Sequence, residues 1–174
     1  MEERTDYYYN FNISSFGLKE RDDDTECHKL ELKVKLEEYN KDIIYWEKVI
    51  AENIPKSNSE HILFYQIEDI ILYYANSDNQ RSEQIQAFQP FLDQPFHLIP
   101  VHKIRWKSTM TYCGQEMKVE YAEVMMNEVQ YHSISLESED PELIEEFLTQ
   151  YQLRDLGHIG GYPRIISQIM EIPA

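Results

Sequence analysis

At 174 residues the chain has room for one domain with a substantial core and too little for two. Hydrophobic residues make up 42% and aromatics 13%, with thirteen tyrosines, which excludes a disordered chain. The 32 acidic residues against 16 basic ones leave a formal net charge of -16, which disfavours duplex nucleic acid and anionic membranes as partners.

No stretch approaches the roughly twenty apolar residues of a membrane span. The opening MEERTDYYYN lacks the basic-then-apolar order of a secretory signal, so a cytoplasmic protein is expected. Cys27 and Cys113 are too few for a disulfide framework and stand in no CxxC spacing; both are expected as free thiols. Without a secretory route the sequon Asn12-Ile13-Ser14 carries no weight.

In chain order, residues 1–28 combine the tyrosine cluster Tyr7 to Tyr9 with the acidic run Asp22 to Asp24 and hold no sustained period, which reads as an irregular N-terminal arm. Residues 29–174 then read as one domain. LELKVKL (30–36) alternates strictly, with Leu30, Leu32, Val34 and Leu36 opposite Glu31, Lys33 and Lys35, as a strand between a core and a polar space does. In the next stretch Tyr39, Ile43, Trp46 and Ile50 recur at helical spacing and Pro55 ends the pattern, which predicts a helix.

The apolar run 59–76 fits a buried helix or a long strand. A capping box of Ser57 with Glu60 favours helix, whereas the Ile, Phe and Tyr content weighs it towards strand. Residues 77–95 read as a loop holding a short helix over 82–88. From residue 96 the pattern is β: three consecutive antiparallel strands, with turns at CGQEM and NEVQ. Pro141 opens a helix whose first turn is acidic, as the helix dipole favours. The end, GHIGGYPRIISQIMEIPA, reads as a glycine turn and a closing strand, and Trp46 and Trp106 as core anchors.

The alternation test places Lys103, Arg105 and Lys107 on one face of their strand, opposite His102, Ile104 and Trp106. It pairs Lys118 with Glu120, and Ser133 and Ser135 with Glu137. If the apolar faces look outward onto helices, the polar faces converge inside an antiparallel barrel of about eight strands, an α+β fold. Six bases (Lys33, Lys35, Lys103, Arg105, Lys107, Lys118) would then face three acids (Glu31, Glu120, Glu137), a local sign opposite to that of the molecule. Bases on separate strands suit the serial charges of an oligophosphate, and carboxylates in the same slot suit Mg²⁺ or Mn²⁺. A half-exposed sheet whose polar face meets solvent is the commoner use of the pattern.

LELKVKL resembles the first strand of the CYTH superfamily, the triphosphate tunnel metalloenzymes, which opens on Glu-x-Glu-x-Lys. HKIRWKSTMTYCGQEMKVEYAEV and YHSISLESEDPELIEEFLTQYQL look like its basic strand and hairpin and its Glu-Ile-Glu strand with the following helix; QIEDIILYY is a weaker match. The resemblance implies a tunnel domain over 29–174, phosphate binding by Lys33, Lys35, Lys103, Arg105, Lys107 and Lys118, and Mg²⁺ or Mn²⁺ at Glu31, Glu120 and Glu137. The motifs depart from the family: Lys33, Ala122, Ser133 and Ser135 stand where acids belong, and no Leu-Arg-x-Arg strand precedes residue 96. A hard cation needs several oxygen ligands. The expected function is therefore binding of a nucleotide or oligophosphate with weak or absent hydrolysis, and a metal-dependent triphosphatase if activity is kept.

The alternative, from the acidic balance, is a non-enzymatic interaction or inhibitor protein that docks on a basic partner. Other chemistry lacks its motifs: the six histidines form no HExxH, there is no GxSxG, and GHIGG lacks the Lys-Ser/Thr of a phosphate loop.

Overall fold

A computed structural model describes the chain except residues 23–25, 41–42, 57–59, 78–79 and 172–174. Over the described residues it is an α+β fold of seven antiparallel strands in one sheet and four α-helices. The strands are β1 (Glu2–Asn10), β2 (Phe16–Arg21), β3 (Cys27–Tyr39), β4 (Ile43–Pro55), β5 (His97–Tyr112), β6 (Gln115–Met126) and β7 (Val129–Glu137). The helices are α1 (Phe64–Ala75), α2 (Ser82–Gln86), α3 (Pro141–Gln150) and α4 (Tyr162–Glu171). In the sheet the order is β4-β3-β2-β1-β5-β6-β7, so β1 sits at the centre, flanked by two meanders. No helix among the described residues is long and apolar enough to cross a membrane.

Local chemistry explains the hairpins. Cys113 and Gly114 take positive φ (48° and 79°) between the paired residues Tyr112 and Gln115, and Asn127 and Glu128 (50° and 63°) do the same between Met126 and Val129. Both are two-residue turns whose backbone twist matches that of the strands, tighter than the CGQEM and NEVQ turns expected. Helix α3 begins as expected: the Asp140 carboxylate accepts from the amides of Glu142 (2.9 Å) and Leu143 (3.4 Å), with Pro141 at the first position.

Five expectations are corrected. Residues 1–28 do not form an irregular arm, because β1 and β2 lie at the middle of the sheet. The segment read as a helix through Ile43, Trp46 and Ile50 is β4. Its pairing jumps from Leu32↔Ile50 to Lys33↔Lys48, so Val49 is an extra residue that buries beside Ile50 and breaks the period of two. The run weighed towards strand is α1, whose Ile67, Ile71 and Ala75 form one buried stripe at i, i+4 and i+8; its capping-box Ser57 lies outside the described residues. The expected closing strand is α4. With no eighth strand among the described residues, β4 and β7 remain edges, and the sheet is not closed into a barrel.

Apolar side chains collect on both faces. One face holds Leu18, Leu30, Leu32 and Ile50 under α1, α2 and Phe88, which follows α2; the other holds Tyr8, Ile99, Val101, Ala122 and Val124 under Ile166 of α4. Each fully buried Leu, Ile or Phe contributes about 1.5–3 kcal/mol. These are called below the α1 face and the α4 face. Trp46 is half-buried, whereas Trp106 is exposed on the α1 face and not in the core as expected, since neither apolar cluster includes it.

Candidate ligand site

The register settles which polar side chains share a face. Asp6 lies opposite Arg21, Tyr8 opposite Lys19, Lys19 opposite Glu31, Arg4 opposite Lys103 and Glu2 opposite Arg105. Further along, Lys107 lies opposite Glu120 and Lys118 opposite Glu137. Directly opposed residues project to the same side, so all of these stand on the α4 face, beside the apolar patch that α4 covers.

At the centre is Asp6, with no exposed surface. Its carboxylate accepts from Arg21 Nε (2.9 Å), Lys103 Nζ (3.0 Å) and Lys19 Nζ (3.1 Å), and from Arg4 Nη2 at 3.3 Å. Burial disfavours its charge, but Lys103, Lys19, Arg4 and Arg21 outweigh that and hold the carboxyl far below the usual range. Glu31, also buried, lies 3.4 Å from Lys19, 3.6 Å from Arg21 and 3.0 Å from Lys48. Desolvation is again outweighed, chiefly by Lys19 and Lys48, and its pKa falls to about 2.

Cations outnumber these two anions. Arg4, Lys19, Arg21, Lys103 and Arg105 are buried or nearly so, against Asp6 and Glu31, while Glu2 and Glu120 approach only from the rim to meet Arg105. Burial lowers Lys103 to about 7 and Lys19 to about 8, with Asp6 resisting in both cases. Lys103 Nζ also lies 3.6 Å from the centre of the Tyr162 ring of α4, which roofs it. The Nε donors of Arg4 and Arg105 are buried without a hydrogen-bond partner. Uncompensated buried charge costs several kcal/mol per ion, so the arrangement favours an anion.

Of the residues singled out in the sequence, Glu31, Lys103 and Arg105 belong to this cluster, and Lys107 and Glu120 stand at its rim, Lys107 bound to Glu2 at 2.7 Å. Lys33 is half-buried beside Lys48. Lys35 turns instead to Glu38 at 2.8 Å. Lys118 and Glu137 oppose each other in the open, away from the cluster. Glu31, Glu120 and Glu137 do not gather as metal ligands: β3 and β6 are four strand spacings apart, about 19 Å along the sheet. Among the described residues no three His, Cys, Asp or Glu side chains form a group that could hold a divalent ion.

The sequence reading missed Glu2, Arg4, Asp6, Lys19 and Arg21, which include the centre of the site. The signal was present, since Glu2-Arg4-Asp6 and Lys19-Arg21 each recur at every second residue. Three consecutive tyrosines, in which Tyr8 faces α4 while Tyr7 and Tyr9 face the other side, concealed it. Compared with protein-family models, curated proteins and solved structures, the chain has no significant match in any of the three.

Proposed function

We propose that this protein binds a phosphate-rich small molecule, a nucleotide or oligophosphate, at the cation cluster of the α4 face, and hydrolyses it weakly or not at all. The observation that carries the reading is the excess of buried cations on three adjacent strands: Arg4 on β1, Lys19 and Arg21 on β2, and Lys103 and Arg105 on β5, against the two buried carboxylates of Asp6 and Glu31. Arginines match phosphate oxygens with paired donors, and lysines supply compact charge between them. A ligand with several negative charges in series neutralises the surplus and meets the Nε donors that lack partners.

The carboxylates support binding over catalysis. Asp6 and Glu31 are each held by several cations and Glu120 by Arg105, so none is placed to activate water. Of the cations expected from the CYTH-like motifs, Lys103, Arg105 and Lys107 support this chemistry, whereas the expected carboxylates do not gather together as metal ligands. Isothermal titration with tripolyphosphate, ATP and GTP, each with and without Mg²⁺, tests the proposal. Binding without added metal, weakened by Arg105→Gln, is the expected result; no heat with any of the three overturns it. Phosphate release that a chelator abolishes would replace it with the triphosphatase reading.

A further inference from the structure

The same register that gathers cations on the α4 face strips them from the other. On the α1 face, β5, β6 and β7 place Trp106 opposite Tyr121 and Tyr121 opposite Ile134, a row that runs straight to the sheet edge. Trp106 is 39% exposed, Tyr121 38% and Ile134 51%. Helices α1 and α2 cover the Leu18–Leu32 part of this face and α4 packs on the other, so neither apolar cluster takes in the row. No lysine or arginine of these three strands points this way, and the charges that do are Glu123 on β6 and Glu3 on β1.

The edge itself is unguarded. β7 pairs with β6 through nine consecutive positions without a bulge, and it contains no proline, lysine or arginine. The opposite edge, β4, is protected in the usual ways: its pairing is broken twice by irregularities, it carries Glu47, Lys48 and Glu52, and it ends on Pro55. A long regular edge beside an exposed aromatic row is a template for an added strand.

Charge decides what adds. Antiparallel pairing of β7 with a second copy about Ser133 would bring Glu128 of one copy alongside the acidic run Glu137, Glu139 and Asp140 of the other, between molecules that each carry a net charge of -16. The complement of an apolar row with acidic flanks is an apolar segment with basic flanks. We propose that β7 and the row Trp106–Tyr121–Ile134 form the docking site for an extended, basic segment of another protein, which joins the sheet as its next strand. Alternate apolar side chains of that segment continue the row, and its lysines or arginines meet Glu137 and the acids at either end of β7. The apolar row lies on the face away from the cation cluster, and Glu137 stands outside that cluster at the sheet edge, so the site stands whether or not the cluster binds phosphate.

The test uses the full chain and a synthetic nine-residue peptide, the length of β7, that alternates valine and lysine. Its controls are the same peptide with glutamate for lysine and a version N-methylated along one edge. Hydrogen exchange followed by nuclear magnetic resonance is expected to show new amide protection confined to β7 and a shifted Trp106 indole. The lysine peptide should bind at least about tenfold more tightly than the glutamate peptide, and binding should weaken with salt and vanish for the N-methylated peptide and for Ile134→Asp. Ile134 is half exposed, so the variant is expected to fold; if it does not, the N-methylated peptide on the unchanged protein decides. Equal binding of the two charge types, protection elsewhere, or undiminished binding of the N-methylated peptide overturns the proposal. So does sedimentation showing self-association that protects β7, which would make the occupant a second copy.

Discussion

Replacing Asp6 with asparagine separates a cluster built around a carboxylate from a polar surface that tolerates its loss. The substitution keeps the shape of the side chain and removes the charge to which Arg21, Lys103, Lys19 and Arg4 all donate, at 2.9–3.3 Å. Truncating one partner of a buried ion pair costs about 3–5 kcal/mol because the other charge stays buried and uncompensated. A domain of this kind is stable by about 5–15 kcal/mol in all, so the variant should unfold at clearly lower urea in a fluorescence or circular dichroism titration. The second arm has the opposite sign: the freed cations should bind an added anion more tightly. Tripolyphosphate at a hundred times its dissociation constant stabilises by about 2.7 kcal/mol, and at a fixed concentration it should rescue Asp6→Asn by more than it stabilises the unchanged protein. Stability altered by less than about 0.5 kcal/mol, or weaker anion binding by the variant, would refute the reasoning.

Burial lowers Lys103 from 10.5 to about 7 and Lys19 to about 8, so between those values and 10.5 the unfolded chain holds protons that the folded one has lost. Stability should therefore rise from pH 7 towards pH 10 by an amount on the order of a few kcal/mol, and Lys103→Met should flatten that rise in urea titrations across pH. Anion binding should return those protons: the apparent enthalpy of tripolyphosphate binding near pH 8 should vary with the ionisation enthalpy of the buffer as proton uptake requires. Glu31 shifts the other way, from 4.5 to about 2, so its stabilisation is complete above about pH 4.5 and is lost as the pH falls through about 2; Glu31→Gln should remove about 3 kcal/mol at neutral pH and reduce the acid sensitivity of unfolding. At Gly161 an added Cβ would lie 3.0 Å from Trp46 Cζ2, so Gly161→Ala should cost about 1–3 kcal/mol and shift the Trp46 emission.

How much was legible differs from strand to strand, for physical reasons. The faces of β3, β5, β6 and β7 could be read directly, because unbroken alternation ties each side chain to a side: Glu31, Lys103, Arg105, Lys107 and Glu120 do stand on the face opposite Leu30, Ile104 and Trp106. The Asp140–Pro141 helix start was equally plain, since capping is a local bond. β4 was not, because the extra residue at Val49 puts two neighbouring apolar side chains inside and imitates helical spacing. β1 was hidden because both of its faces accept tyrosine: Tyr9 donates to the buried Glu20 at 2.8 Å on one side, and Tyr8 stacks on Tyr162 on the other.

The amino-acid order alone thus determined that cations and grease lie on opposite sides of the later strands, that the hairpins turn where they do, and that the molecule is acidic outside those faces. It did so because strand periodicity, turn conformation and capping are interactions between near neighbours. Tertiary structure alone decided that β1 and β2 enter the middle of the sheet and bring Asp6, Arg4, Lys19 and Arg21 to Lys103 and Arg105, across as many as 101 sequence positions between Arg4 and Arg105. It also decided that α4 lies across the face where a closing strand was expected, leaving β7 as a free edge. Those outcomes depend on which surfaces are buried against each other, and local pattern carries no record of that.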